Sequence, residues 1–220
     1  MKFRDRSHAG RVLAELLKHY ADRPNVVVLG LPRGGVPVAF EVAQALAAPL
    51  DVFVVRKIGV PGHEELAMGA VAGDGIRVLN DSVIGALGID EDGISRAAAV
   101  ATTELGRRER AYRDDRGPIE ISGQTVILVD DGHATGSTMQ AAARAVRAQD
   151  PEHVVVAVPV APEETCEALR SEVDEIVCAF MPESLGAIGL WYDVFEQTSD
   201  EEVRDLLDRS RAYQPADRRW

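Results

Sequence analysis

The residues that decide the fold lie in the stretch Val126-Ile127-Leu128-Val129-Asp130-Asp131-Gly132-His133-Ala134-Thr135-Gly136-Ser137-Thr138. Four branched apolar residues in a row are typical of a strand that is buried on both faces of a parallel sheet. The pattern of residues 139–148 then predicts a helix. Because a buried strand leads through a short loop into a helix, this stretch indicates an open α/β sheet, in which ligands bind beyond the carboxyl ends of the strands.

The side chains that follow this strand suit two parts of one ligand. Asp130 and Asp131 supply carboxylate oxygens, which suit hydroxyl groups, a magnesium ion or both. Residues 134–138 supply a loop of small and hydroxyl residues at a helix N-terminus, where N–H groups and the helix dipole favour a phosphate. A ligand with a phosphate on one side and a vicinal diol on the other is a ribose 5-phosphate.

The same stretch resembles the signature for phosphoribosyl pyrophosphate (PRPP) in type I phosphoribosyltransferases, which consists of an apolar strand, two acids and a Thr/Gly loop. The resemblance covers about residues 26–160, and the whole chain looks most like an uncharacterised, stand-alone branch of that family. It implies that Asp130 and Asp131 hold the ribose hydroxyls. The residues implied for the 5-phosphate are Ala134, Thr135, Gly136, Ser137 and Thr138. The alternative is a receiver-like or flavodoxin-like domain with an ordinary acidic strand end, which leaves the Thr-Gly-Ser-Thr loop unexplained.

The composition describes one acidic globular domain, residues 1–220, with 46% hydrophobic and 27% charged residues. A net charge of −12 counts against a nucleic-acid partner, which needs a basic face. No apolar run approaches the ~20 residues of a membrane span, and the N-terminus has no apolar signal core. Cys166 and Cys178 lack metal-ligand spacing, so we expect structural cysteines and a reduced, cytoplasmic setting.

The alternation of strands and helices predicts a doubly wound, mainly parallel α/β sheet with a small hood and a flexible lid loop. The predicted strands are 26–29, 51–55, 125–129, 153–158 and 174–178. The predicted helices are 5–21, 36–47, 90–113, 139–148, 163–171 and 200–211, the last capped by Thr198 or Ser199. The core then covers about 26–178, and the hood combines N-terminal residues with about 179–220.

Segment 59–80 interrupts this alternation and is the expected lid. Its five glycines separate two short apolar pieces, 67–72 and 76–79, as in a flexible hairpin. His63 and Glu64 are its candidate catalytic acid/base groups, with Glu65 beside them. Closure would exclude water, which otherwise hydrolyses PRPP. The alternative is a plain surface loop.

The loop after the first strand, Leu31-Pro32-Arg33-Gly34-Gly35, suits a diphosphate. Two glycines let backbone N–H groups approach a ligand, and the arginine adds a charged fork. If the first strand neighbours the signature strand, the two loops face each other where the strand order reverses. The resemblance implies that Arg33, Gly34 and Gly35 bind the pyrophosphate, with a cis peptide bond near Arg33. A plain strand-to-helix turn is the alternative.

Arg56 and Lys57 end the second predicted strand at the same edge of the sheet. The resemblance places a pyrophosphate-binding basic residue here, and we assign it to Lys57; a solvated strand-end lysine is the alternative. Basic groups would then lie on one side of the switch point, with acids and a phosphate loop on the other. This asymmetry matches PRPP.

Three features of the chain concern the acceptor, and the first two, at Ala134 and His133, are departures from the family pattern. Ala134 stands where 6-oxopurine enzymes commonly carry a base-facing aspartate, so salvage of the hypoxanthine–guanine type loses support. His133 replaces an apolar residue and either contacts the nucleophile or packs locally. Trp191 or Tyr192 either stacks on an acceptor or belongs to the core.

The expected function is therefore magnesium-dependent transfer of phosphoribose from PRPP to an unidentified nitrogenous acceptor, with release of pyrophosphate. Mg²⁺ would lie near Asp130 and Asp131, reached through ribose hydroxyls or water, with no residue assigned as a direct ligand. Two alternatives stay open: a non-catalytic PRPP or nucleotide sensor, and a PRPP-dependent hydrolase. The expected partners are PRPP and a small acceptor, without nucleic acid or membrane, and the family suggests a homodimer.

Overall fold

The computed structural model describes residues 2–113, 117–134 and 136–213. The strands are β1 (Val26–Gly30), β2 (Leu50–Val52), β3 (Val55–Val60), β4 (His63–Ala72), β5 (Arg77–Leu79), β6 (Thr125–Val129), β7 (His153–Val160) and β8 (Glu175–Phe180). The helices are α1 (Arg6–Leu16), α2 (Gly35–Leu46), α3 (Asp81–Leu87), α4 (Glu91–Arg113), α5 (Ser137–Arg147), α6 (Glu163–Leu169) and α7 (Asp200–Tyr213). Within these ranges no helix is long and apolar enough to cross a membrane.

The central sheet has the order β2-β1-β6-β7-β8, and all its pairings are parallel. Alternate residues of β6 enter two different apolar clusters. Val126 and Leu128 pack with α5 and α6 on one face, whereas Ile127 and Val129 pack with α1, α2, α4 and α7 on the other. Both faces are covered, which is why this strand reads as an unbroken apolar run. The prediction of a doubly wound, mainly parallel α/β fold is confirmed.

The predicted second strand, 51–55, is wrong at its carboxyl end. β2 stops at Val52, and Val55 opens an antiparallel sheet of order β3-β4-β5. Ile58 and Met68 are fully buried in a cluster that includes apolar residues of α4. The hairpin predicted for residues 59–80 therefore begins earlier, as part of a packed three-stranded sheet.

Several other boundaries differ from the prediction by a few residues, and two of these concern α1 and α5. The first helix ends at Leu16 and is followed by a 3-10 turn, Lys18–Tyr20. α5 begins at Ser137, before the expected residue 139, because Gly136 takes a left-handed conformation (φ +67°) directly before it. The predicted cap of α7 is present: Ser199 Oγ accepts a hydrogen bond from Glu202 N at 3.1 Å.

The N-terminus pairs with a segment close to the end of the sheet, where the hood is expected. Phe3 N donates to Trp191 O, and Asp193 N donates to Phe3 O, both at 2.8 Å. Phe3 and Tyr192 also share a small apolar cluster with Val160 of β7. These contacts fix the segment around Tyr192 beside the carboxyl end of the sheet.

Candidate active site

The two predicted ligand loops leave the sheet side by side. β1 and β6 are parallel neighbours, with Gly30 in register with Val129. Leu31 N donates to Val129 O at 2.9 Å, so the glycine loop turns directly across the end of β6. The structure thus brings together the two loops that the sequence placed at one switch point.

Gly34 and Gly35 pack against the acid pair with no room for a side chain. A β-carbon on Gly34 would lie 2.0 Å from Asp131 Oδ2, and one on Gly35 would lie 2.8 Å from Asp130 Cα. The Pro32–Arg33 peptide bond is cis, as predicted. The glycines are therefore required by close approach, which a plain strand-to-helix turn does not explain.

The Arg33 side chain extends from this loop toward α7. Its Nη1 atom lies 3.9 Å from Asp200 Oδ1, in a partly exposed ion pair. Asp200 also accepts a hydrogen bond from the Tyr112 hydroxyl at 3.0 Å, and burial followed by this bond raises the pKa of Tyr112 to about 12. The backbone of the loop thus faces the acid pair, while its guanidinium is held beside α7.

Lys57 connects the two predicted phosphate-binding regions. Its Nζ atom donates to Ser137 Oγ at 2.7 Å, at the first residue of α5. Thr138 is exposed in the same turn, and Ala134 is exposed before it. Thr135, a predicted 5-phosphate residue, lies outside the described residues.

The predicted phosphate loop is in contact with α6, and the sequence analysis missed this contact. Thr165 Oγ1 donates to Ala134 O at 3.1 Å. A β-carbon on Gly136 would lie 2.8 Å from Thr165 Cγ2, so the loop rests directly on this side chain. Because Thr165 lies in an unremarkable amphipathic helix, no local pattern marks it as part of the site.

Arg6 is a second residue of the site that the sequence analysis missed. Its Nε atom donates to Asp131 Oδ2 at 2.8 Å, and its Nη1 atom donates to Glu196 O at 2.6 Å. The guanidinium carbon lies 4.0 Å from the centroid of the Phe195 ring. Arg6 therefore joins the acid pair to the N-terminal helix and to the segment after β8.

The aromatic residues near the site divide into buried and accessible ones. Tyr192 is 3% exposed and donates its hydroxyl to Asp131 O at 2.6 Å. Trp191 donates from Nε1 to Leu185 O at 2.9 Å and packs against Phe180. Phe195 is 36% exposed beside Arg6. Tyr192 thus matches the core alternative, and Phe195 presents the accessible ring.

Burial makes the acid pair easier to protonate than ordinary carboxyl groups. It raises the pKa of Asp130 well above its usual value, and repulsion from Asp131 adds to the rise. Burial also raises the pKa of Asp131, although the Arg6 guanidinium opposes that rise. A cation or hydroxyl donors would stabilise the ionised pair.

The acid pair fits Mg²⁺ held jointly with a substrate. Across the described residues there is no group of three or more His, Cys, Asp or Glu side chains that could hold a metal ion. Mg²⁺ is commonly bound by one or two carboxylates together with substrate phosphate oxygens and water. The carboxylate oxygens of Asp130 and Asp131 fit a Mg²⁺ ion whose other ligands are substrate oxygens or water.

His133 is a neutral, buried neighbour of the acid pair. Its side chain is 4% exposed, and Nδ1 lies 3.8 Å from Asp130 Oδ2. Burial lowers its pKa to about 4, and its Nε2 atom is buried with no hydrogen-bond partner among the described residues. His133 is therefore better described as a neutral side chain packed beside the acid pair than as a charged group.

The candidate acid/base residues of the lid, His63 and Glu64, lie at the start of β4, directly after the turn that joins it to β3. His63 is exposed next to the Pro61–Gly62 turn, and its backbone pairs with Val60. Glu64 continues β4, and its side chain lies outside the description. No contact among the described residues joins His63 to the acid pair, so their catalytic assignment stays a prediction.

Comparison with known proteins places this site in a family. Residues 6–182 match the family model described as phosphoribosyl transferase domain. The crystal structure of TT1426 from Thermus thermophilus is 44% identical, with a TM-score of 0.86, and the match covers 94% of this chain and 98% of that one.

Two proteins of Mycobacterium tuberculosis, from strains CDC 1551 / Oshkosh and H37Rv, have names that provisionally class them as phosphoribosyl transferases. Each is 47% identical over 208 residues, which covers 94% of this chain and 47% of the relative. The chain thus spans about half the length of these curated relatives. The family match covers most of the chain and includes both ligand loops, and the chain therefore belongs to the phosphoribosyl transferase domain family.

Proposed function

We propose that this chain transfers phosphoribose from PRPP to a nitrogenous acceptor and releases pyrophosphate, with Mg²⁺ bound. The observation that carries this proposal is the packing of Gly34 against Asp131, because the loop that we assign to the diphosphate then adjoins the acid pair that we assign to the ribose hydroxyls. The hydrogen bond from Lys57 to Ser137 supports it, since it connects a basic residue of β3, rather than the predicted strand end, with the loop that we assign to the 5-phosphate.

Each part of PRPP has a group to receive it in this arrangement. Asp130 and Asp131 accept hydrogen bonds from the ribose hydroxyls. Residues 134–138 enclose the 5-phosphate with backbone N–H groups and hydroxyls at the start of α5. The backbone of Arg33, Gly34 and Gly35, with Lys57, receives the pyrophosphate.

The reaction breaks the bond from the anomeric carbon to pyrophosphate and forms a bond from that carbon to the acceptor nitrogen. Positive charge develops on the sugar meanwhile, and the acid pair stabilises it from the hydroxyl side. The protein's other task is to hold the nucleophile in line with the leaving group. Bound Mg²⁺ would neutralise charge on the leaving pyrophosphate.

We assign the acid/base role to His63 and Glu64, which the turn between β3 and β4 would bring to the acceptor on closing. Such closure would also exclude water from the activated sugar. An acceptor of the hypoxanthine–guanine type loses support, because Ala134 offers no carboxylate to the base.

Labelled PRPP, incubated with Mg²⁺ and a panel of nitrogen heterocycles, tests this function. The transferase proposal predicts pyrophosphate release that requires one acceptor. Release without any acceptor would indicate a hydrolase, and tight binding without release would indicate a sensor. Asp130→Asn with Asp131→Asn serves as the inactive reference protein in every arm.

A further inference from the structure

A cavity outside the loops assigned to PRPP lies between β3 and α4. Its volume is about 450 Å³, which is within the range of small-molecule sites. Arg56, Gly59 and Pro61 line one side of it, and residues of α4 such as Arg96 and Glu104 line the other. None of these five residues is assigned to PRPP, whereas Lys57, which also lines the cavity, is assigned to the pyrophosphate.

The cavity carries an excess of positive charge. Its charged lining residues, among those described, are Arg56, Lys57, Arg96 and Glu104. Arg56 Nη2 is paired with Glu104, which leaves the charges of Lys57 and Arg96 in excess. Because the whole chain has a net charge of −12, this local excess marks the cavity as a place for an anion.

Arg56 also presents a donor without an acceptor. Its Nε atom is buried and has no hydrogen-bond partner among the described residues. Buried donors are usually paired, so this atom lacks the acceptor that such a donor normally has. A guanidinium group matches the geometry of phosphate and carboxylate oxygens.

The remaining wall of the cavity is apolar and leaves space for a ring of a ligand. Val60 and Pro61 contribute from the hairpin, and Ala97, Val100 and Ala101 contribute from α4. The two alanines lie four residues apart, hence on one face of the helix, and their small size leaves space beside them. Val100 is 64% exposed, although it is a large apolar residue that lines the cavity.

An irregularity of the sheet lies at the same place. The β3–β4 register shifts on both sides of Gly59, as in a β-bulge, and Gly59 lines the cavity. Bulges are over-represented next to binding sites because they redirect neighbouring side chains.

We propose that this cavity binds a nucleoside 5′-monophosphate, separately from PRPP. Arg56 and Arg96 would receive its phosphate, and the wall formed by Val60, Ala97, Val100 and Ala101 would receive its base. This site goes beyond the proposed function and does not depend on it. The two sites adjoin through Lys57, which lines the cavity and donates to Ser137.

Calorimetric titration of the Asp130→Asn/Asp131→Asn protein tests the proposal, since that protein has lost the acid pair. AMP, GMP and UMP are the probes, and inorganic phosphate and adenosine are the partial ligands. At least one nucleotide is expected to bind with one site per chain, at least about tenfold more tightly than either partial ligand, because phosphate and ring contacts both contribute.

Arg96→Gln in the same background is expected to weaken nucleotide binding about tenfold or more. Val100→Glu, which adds a negative charge to the lining at an exposed position, should weaken it as well. Arg107→Gln is the matched control, an exposed arginine of α4 that does not line the cavity. Circular dichroism confirms that each variant is folded.

Three results would overturn the site: no nucleotide binding by the double variant, equal binding by Arg96→Gln and its Arg107→Gln control, or equal affinity for AMP and inorganic phosphate. Pyrophosphate release from PRPP by Arg96→Gln alone, measured without nucleotide, is expected to be unchanged. The binding assay therefore tests the nucleotide site, and the pyrophosphate assay tests the proposed transferase.

Discussion

Gly34 and Asp131 lie so close together that a β-carbon on Gly34 would come within 2.0 Å of Asp131 Oδ2. The carboxylate cannot easily turn away, because Arg6 Nε holds the same oxygen at 2.8 Å. Glycine at this position therefore sets the distance between the glycine loop and the acid pair. The proposed cleft depends on that distance.

Gly34→Ala is predicted to displace the Asp131 carboxylate. Gly34 has φ −63° and ψ −30°, so alanine suits the backbone and the effect is steric. Overpacking of this kind costs typically about 1–3 kcal/mol in the free energy of unfolding. Urea denaturation and PRPP titration should both show the loss.

Gly106→Ala is the control for this change, since Gly106 lies within α4 and has open space around its Cα. That variant should be equal to or slightly more stable than the wild type. Equal stability and equal PRPP affinity in Gly34→Ala and Gly106→Ala would show that the contact with Asp131 is unimportant.

Arg6→Gln is predicted to weaken PRPP binding. The substitution removes the cation that opposes the raised pKa of Asp131, so the buried pair would hold a proton more tightly. A loss of about 1–3 kcal/mol in binding is expected, and Arg6→Lys should restore part of it. Arg11→Gln is the control, because Arg11 lies on the same helix in an exposed pair with Glu41. Equal affinities in the glutamine variants would argue against a role for Arg6.

Thr165→Val is predicted to loosen the 5-phosphate loop while leaving the helix packed. Valine keeps the methyl group that touches Gly136 and removes the hydroxyl that donates to Ala134 O. We expect weaker binding of ribose 5-phosphate by about 1–2 kcal/mol, with Thr165→Ser close to the wild type in the same titration. If serine and valine variants bind alike, the hydrogen bond has no part in positioning the loop.

His133 is predicted to make the fold less stable in acid. Its pKa is about 4 when folded against an ordinary 6.5, so between these values the unfolded chain binds a proton that the folded chain does not. Stability contributed by the neutral imidazole is thus complete above about pH 6.5 and declines as the pH falls toward 4, by at most about 3 kcal/mol.

Urea unfolding at pH 7 and pH 4.5 measures this contribution. His133→Leu should lose less stability than the wild type between the two values, whereas the partly exposed control His153→Gln should follow the wild type. Asp130 lies nearby, and its raised pKa has the opposite effect on stability in acid. The wild type and His133→Leu both contain Asp130. Parallel curves for the wild type and His133→Leu would contradict the assignment.

The sequence was sufficient where one local pattern reports one structural role. The unbroken apolar run of β6, the adjacent acids and the paired glycines after β1 each predict a strand or loop without reference to distant residues. The sequence analysis left the pairing of β1 with β6 as a condition; the structure shows this parallel pairing, which brings both loops to one edge. The cis bond at Pro32–Arg33 came from the resemblance alone.

The sequence did not predict where a strand ends when the chain stays buried but its pairing partner changes. Phe53 and Val54 are buried like the strand before them, so the apolar pattern continues past Val52 although the pairing partner changes. Arg6 and Tyr192 reach Asp131 from distant positions in the chain. Nothing in the local sequence distinguishes Arg6 from the neighbouring arginines of the N-terminus.

Binding of PRPP in the presence of Mg²⁺, measured by calorimetry, tests the central claim most directly. The wild type is compared with Asp130→Asn/Asp131→Asn and with a control, Asp92→Asn/Asp205→Asn, that makes the same substitutions at exposed positions. We expect one PRPP per chain for the wild type and the control, and no measurable binding for the acid-pair variant, with all three proteins folded. Undiminished affinity in the acid-pair variant would contradict the central claim.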